Sequence, residues 1–447
     1  MSKHWLDDLS VYREPRVWVI FTFGVISGFP WVVIGSMLSA WLQETGVDRA
    51  SIGLFGLVFA SYSINALWSP VIDRVKPWPF AKGLGMRRGW MAICTLGLLL
   101  CTLVLSQLTP ASELWLIALC AVFIGFFSAT QDIAIDAFRI ESFAAHEARL
   151  QSAGAAMATA GWWTGYSGLG VIPFYLVGGD MGWTWSQAYS LMTGLFVLQL
   201  LWLLRVKEST RFSEVAPLTS QESFIRTLYQ SVVQPIAEFF QRSGVGFALA
   251  LLIFIFTFKI GEAFLGRMSI VFYKEIGFSN QDIAVYSKFV TWWVTIIFAV
   301  LGSYVNLRLG IVRGLLIGGI AMASSNLMFA WIAQVGPDTQ LLLSAVLIDG
   351  FTGAWSTVAF VAFISLLCSR TFTATQYALL ASLGNLARTM LSSYSGYVVD
   401  WLNGDWSLFF ILTAVMVLPS LVILLLLRKR LTQLEQNYQQ ASTEPDL

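Results

Sequence analysis

Ionisable side chains interrupt stretches of this sequence that are otherwise apolar enough to cross a membrane. Charge is costly there, so each such residue is a candidate functional position. Lys259 and Glu262 lie three residues apart, hence on one helix face, near the middle of their stretch. A carboxyl group beside a cation changes partner when it takes up a proton. Glu262 is therefore a candidate proton-coupling residue, with Asp349 and Asp132 as further carriers; charge neutralisation alone is the plainer alternative for the Lys259–Glu262 pair. Arg388 has no acid at i±3 or i±4. Its planar fork suits a substrate carboxylate, as Lys259 would, although Asp349 or Glu262 from another helix could also serve. Ser128-Ala129-Thr130-Gln131-Asp132, with Asp136 one turn on, adds an amide and two acids near a helix end. Trp162, Trp163, Trp292 and Trp355 fall toward span interiors, where indole faces suit the apolar faces of sugar rings; lipid-facing packing is the commoner use of tryptophan.

Other chemistries lack residues. The histidines are His4 and His146, both outside the apolar stretches, and no GxxxxGK(S/T) phosphate cradle occurs. Cys94, Cys101, Cys120 and Cys368 match neither a zinc site nor a disulfide framework and read as small buried hydrophobes. No cofactor, no metal and no enzymatic activity are expected.

The elements that position these residues follow from solvent. Hydrophobic residues make up 57% of the 447-residue chain and charged residues 12%, against about 25% charged in an ordinary soluble domain. The net charge of +1 gives no basic field for nucleic acid. Apolar runs of about twenty residues fit membrane-crossing helices and not alternating barrel strands. The predicted fold is an all-α polytopic membrane protein with twelve transmembrane helices. Their approximate spans are 17–42, 50–72, 90–108, 114–137, 150–176, 186–204, 247–273, 282–307, 312–333, 340–366, 375–400 and 406–427. The first has no cleavage-site pattern and reads as a retained helix. Loops on one side hold 21 Lys and Arg, those on the other two, Arg49 and Lys274. That bias places both termini in the cytoplasm. The expected organisation is a six-helix bundle over 1–204, a cytoplasmic linker over 205–246, a second bundle over 247–430 and a tail over 431–447. The linker carries an amphipathic pattern at Phe224, Leu228, Val232 and Phe239. Six-plus-six halves with substrate bound between them are the architecture of many secondary transporters.

One cytoplasmic loop reads as a gate: Trp68-Ser69-Pro70-Val71-Ile72-Asp73-Arg74, then Gly85-Met86-Arg87-Arg88-Gly89-Trp90. It resembles the signature loop of the major facilitator superfamily. Asp73 can pair across to a cation while Arg87 and Arg88 reach the C-terminal ends of neighbouring helices. Contacts of that kind exist in one gate state and break in the other. Asp73, Arg74, Arg87, Arg88 and Asp136 are the candidate gate, against simple positive-inside anchoring. A weaker echo lies at Gly302–Gly310 with Arg308, and breaks at Gly28-Phe29-Pro30 and at Pro173 would let two spans bend.

Together these residues resemble the AmpG-type muropeptide permeases, a branch of the major facilitator superfamily. The resemblance runs through most of both halves. Its carriers are Ser27-Gly28-Phe29-Pro30, the gate-loop segments, Ser128 to Asp132 with Asp136-Ala137, and Lys259-Ile260-Gly261-Glu262-Ala263-Phe264. Ala359-Phe360-Val361-Ala362 and Phe372 to Leu380 complete them. The family pattern has Asp at Glu262 and Glu at Asp349, so charge is kept and moved by one methylene. The resemblance implies proton-coupled import of N-acetylglucosaminyl-anhydro-N-acetylmuramyl peptides across a bacterial inner membrane, by a monomer with no partner beyond substrate, protons and lipid. Another bulky anion, such as a coenzyme A ester or a siderophore, stays open as cargo. So do a membrane-embedded transferase and a transport-dead sensor.

Overall fold

The computed structural model describes residues 10–143, 147–179, 181–207, 234–368 and 373–443. Among them are twelve helical spans and no strand. In chain order they are α1 (Pro15–Glu44), α2 (49–74), α3 (Met86–Leu105), α4 (Pro110–Glu141), α5 (148–178), α6 (Trp185–Arg205), α7 (Val245–Ile276), α8 (280–309), α9 (Ile311–Val335), α10 (Thr339–Leu367), α11 (373–401) and α12 (Trp406–Gln436). Eight of them are long and apolar enough to cross a membrane. The other four, α2, α5, α8 and α11, are broken by turns or by changes of helix type.

Side chains in the short loops start several spans by satisfying helix N–H groups that have no carbonyl one turn back. Thr184 and Gln187 form a reciprocal capping box at α6, and Ser279 and Asp282 another at α8. Asp338 and Asp405 cap α10 and α12. On the arginine-rich side, α3 and α9 instead start at glycines with positive φ, Gly85 (84°) and Gly310 (82°). At Gly310 the Glu435 carboxylate, carried on the extension of α12, accepts from the backbone N–H of Ile311 at 2.6 Å. An acid at a helix N-terminus also complements the helix dipole.

The chain divides into two compact units. One comprises Met1–Asp48, Val58–Leu218 and Phe278–Trp292; the other comprises Arg49–Leu57, Thr219–Gly277 and Trp293–Leu447. Each half of the sequence thus lends one short stretch to the unit built mainly from the other half. In the first unit the start of α8 packs on the end of α5, with Gly178 against Asn280. In the second, the start of α2 packs on α11, where Gly396 lies against the Arg49 backbone and Gly53 against that of Ser393.

The tightest crossing in the first unit is between α1 and α5. Gly24 and Gly28 face Gly161 and Gly165, two Gly-x-x-x-Gly pairs in which each glycine lies against the other helix's backbone. Between helices in lipid, packing replaces the hydrophobic drive, and small residues allow that approach. Just past this crossing α1 runs through Pro30 into a π-helical stretch, Val32–Met37. In α5 a similar stretch, Thr164–Gly168, precedes Val171–Gly178, and Pro173 sits in the first turn of that last segment, where its missing N–H costs little. The second unit is built around phenylalanines: Phe254, Phe258, Phe360 and Phe363 are buried together between α7 and α10. The short helix Gln234–Ser243 docks on this cluster through Phe239, which is 3% exposed. Phe224, Leu228 and Val232 lie outside the described residues.

Gly161→Val is expected to lower thermal stability in detergent, since overpacking costs about 1–3 kcal/mol. Gly194→Ala, where an added methyl meets nothing within 4 Å, should leave the melting temperature unchanged or raise it. Equal melting temperatures for the two variants would contradict the close crossing.

Candidate functional site

In the second unit α7 is two helices, Val245–Thr257 and Ile260–Ile276, joined at Phe258-Lys259. The Lys259 backbone (φ −104°, ψ 10°) leaves helical geometry there. The break turns the ammonium toward α10. It is 4% exposed and donates to the Glu262 carboxylate, to Ser356 Oγ (2.8 Å), to Thr357 Oγ1 (2.9 Å) and to the Gly353 carbonyl (3.3 Å). Four acceptors around three N–H bonds give the buried charge a full shell. Gly353 lies beside Glu262, whose Oε1 is 3.5 Å from where a Cβ would stand, an ordinary contact distance. Asp349 accepts from Ser325 Oγ of α9 at 2.9 Å, and Thr352 Oγ1 donates to the same serine oxygen at 3.2 Å. Asp349 also lies within the electrostatic reach of Lys259 and Glu262. Arg388 of α11 sits over the Phe360 ring at 5.7 Å and in the field of Glu262. Among the described residues no side chain hydrogen-bonds its guanidinium. Four predicted residues, Lys259, Glu262, Asp349 and Arg388, thus share one charged cluster on α7, α10 and α11.

In the first unit the predicted substrate and proton residues are tryptophans, Gln131 and one acid, Asp132. Asp132 accepts from Ser27 Oγ of α1 at 2.6 Å. Trp162 contacts Trp31 (5.4 Å between ring centroids), Tyr166 (5.2 Å) and its neighbour Trp163 (5.1 Å). Trp31 in turn packs on Phe59 (4.5 Å) and Tyr62 (4.6 Å). Trp292 donates through Nε1 to Thr164 Oγ1 at 3.0 Å, so it joins α8 to α5. Trp355 belongs to the second unit, 7% exposed, against Phe351. Gln131 is fully buried and turned into α3, donating to Thr95 Oγ1 (2.8 Å) and the Met91 carbonyl (3.3 Å). In this arrangement it ties α3 to α4. Trp31, Phe59, Tyr62 and Tyr166 were not singled out from sequence. Tyr166 had a usable signal, since it lies one turn from Trp162 on the same helix face.

At the arginine-rich face, Arg88 donates to the C-terminal carbonyls of α6, Leu203 (2.7 Å) and Leu204 (3.2 Å). Arg87 pairs with Glu141 at the end of α4, 2.7 Å away. Asp136 is exposed and pairs along its own helix with Arg139 at 3.1 Å. The side chains of Asp73, Arg74 and Arg308 lie outside the described residues. Trp68 ties α2 to α4 through Thr130 Oγ1 at 3.0 Å.

The opposite face carries two like clasps that sequence reasoning missed. In the first unit Glu44, at the end of α1, accepts from Trp185 Nε1 (2.5 Å) and Asn280 Nδ2 (2.9 Å). In the second, Glu275, at the end of α7, accepts from Trp406 Nε1 (2.9 Å) and from Arg49 by two bonds (2.7 and 2.8 Å). Arg49 also donates to Asp400 at 2.9 Å. Glu44 and Arg49 are five residues apart, as are Glu275 and Asn280. That recurrence was the available signal. Among the described residues no three His, Cys, Asp or Glu gather as a metal site would require.

No family model matches the chain. It is 33% identical over 420 residues to putative transporter AmpG 4 of Rickettsia felis, covering 94% of this chain and 98% of that protein. It is 31% identical over 433 residues to the anhydromuropeptide permease of Escherichia coli K12, covering 96% of this chain and 84% of the permease. Among solved structures, a POT family transporter in complex with 5-aminolevulinic acid superposes with a TM-score of 0.70 at 14% identity, covering 93% and 96% of the two chains. The D-xylose-proton symporter gives 0.64 at 16% identity, covering 91% and 96%. These structural likenesses show the fold.

For the clasp at Glu275, a double-mutant cycle of Arg49→Met and Glu275→Gln in thermal unfolding should give a coupling of about 0.5–1 kcal/mol that shrinks as salt rises. A coupling of zero at low salt would remove the energetic role given to this pair.

Proposed function

The chain belongs to the AmpG family of muropeptide permeases, and we propose that it carries N-acetylglucosaminyl-anhydro-N-acetylmuramyl peptides into the cytoplasm together with protons. The observation that carries the coupling is the bond between Lys259 and Glu262. With Glu262 ionised, its carboxylate accepts one of the ammonium's N–H bonds and cancels its charge. Protonation ends the ion pair and leaves Lys259 on Ser356, Thr357 and the Gly353 carbonyl, all neutral acceptors. The cluster then carries one more positive charge. An anionic substrate binds better to a more positive site, so proton and substrate load together. This is the thermodynamic requirement for symport, since each ligand must favour the other.

Arg388, over the Phe360 ring and in the field of Glu262, is the cation placed to receive a peptide carboxylate once that acid is neutral. Asp349, held by Ser325 within the same field, provides a second position for a proton. In the first unit, Trp162, Tyr166 and Trp31 offer ring faces for the amino sugars. Asp132 on Ser27 is a further candidate carrier, and Arg87 and Arg88 hold helix ends at the cytoplasmic gate. The excess of Lys and Arg on one set of loops supports cytoplasmic termini and an inner-membrane location.

Uptake of labelled anhydro-muropeptide into proteoliposomes tests the reading. Accumulation should require an inward proton gradient and collapse with a protonophore. Absence of uptake by folded protein would redirect the assignment to another bulky anion. Glu262→Gln should lose accumulation yet keep downhill exchange; normal accumulation at a fixed gradient would refute the coupling role. Arg388→Ala should weaken binding of peptide-bearing substrate by about 10- to 100-fold, the value of a charge-assisted hydrogen bond, and spare its carboxyl-amidated form.

A further inference from the structure

One buried cation remains without a role. Lys288, two turns into α8, is 3% exposed. Its ammonium sits over the face of Tyr166, 4.3 Å from the ring centroid. Its aliphatic stem passes Gly170, where an added Cβ would lie 3.4 Å from the lysine Cδ. Among the described residues no carboxylate pairs with it. A ring face attracts a cation but returns only part of the hydration that an ammonium loses on burial.

The backbone around it is also unusual. Lys288 lies within a π-helical stretch, Ile283–Val290, and Tyr166 lies within another, Thr164–Gly168; the two stretches contact each other inside the first unit. Widened turns of this type are frequent at functional sites. Here they set the lysine beside the Trp162–Tyr166 pair, with Trp292 fixed by Thr164 alongside.

We infer that Lys288 is an anion-recognising residue: it binds a carboxylate of a substrate whose sugar rings lie on Tyr166 and Trp162. The inference rests on the proposed muropeptide substrate and adds a second carboxylate contact, independent of Arg388.

The test is ligand-induced quenching of tryptophan fluorescence in detergent-solubilised full-length protein, with anhydro-muropeptide and its carboxyl-amidated form as probes. Wild type should bind the free acid at least tenfold more tightly than the amide. Lys288→Met should lose the part of that preference not owed to Arg388 and keep its affinity for the amide, while Lys288→Arg should retain the full preference. The loss should add to that of Arg388→Ala in the double variant, as independent sites do. Lys288→Gln serves the same comparison if the Met variant does not fold. Wild-type preference that persists unchanged in the neutral variants would overturn the inference, as would an equal loss for both probes, which marks a structural lysine. Wild type that binds neither probe would instead remove the substrate on which both proposals stand.

Discussion

Hydrocarbon neither hydrogen-bonds a polar group nor pushes apolar helices together, and this constraint shapes every part of the molecule. Cohesion has to come from close contact or from polar groups that find each other. The Gly24/Gly28 and Gly161/Gly165 crossing uses the first route, with backbone laid against backbone. The shell around Lys259 uses the second: two hydroxyls, a carbonyl and a carboxylate stand in for water. Spans that must bend carry their irregular turns where other helices cover them. Spans α2, α5, α8 and α11 supply the close contacts of the exchanged segments within the two units.

How much of this was legible depended on whether a signal was local. Hydropathy marks membrane-crossing helices because the bilayer imposes a length. Lys259 and Glu262 announce themselves because i,i+3 residues share a face. Their partners Ser356, Thr357 and Gly353 do not, since pairing between helices leaves no period in the sequence. Gln131 shows the same limit. Its motif drew attention, but α4 is apolar nearly all round, so nothing in the pattern chose between a cavity and α3. Span one illustrates the opposite difficulty. A tryptophan such as Trp31 in an apolar run reads as lipid-facing, and only contacts with Trp162, Phe59 and Tyr62 show its place. The clasps at Glu44 and Glu275 escaped because short polar loops are expected to be unremarkable in composition. Their five-residue echo becomes a signal only when the halves are aligned.

The two clasps also show what duplication of an architecture permits. Position and acceptor repeat, a Glu at a helix end with a Trp donor at the start of a later span. The second donor differs, Asn280 in one and Arg49 in the other. An amide and a guanidinium hold a carboxylate with similar geometry but unequal sensitivity to ions in solution. Equivalent places on the two units therefore respond differently to the same medium.

The π-helical stretches in α1, α5 and α8 have a mechanical meaning beyond the residues they display. Each stores surplus chain in a widened turn. If one residue is drawn out of such a turn into regular α geometry, everything beyond it rotates by about 100° and advances by about 1.5 Å. The backbone bonds are exchanged one for one, so the helix stays intact. A span built this way holds slack, and it can re-aim a side chain such as Lys288 like a screw turning in its thread, without breaking and without moving the helix as a whole.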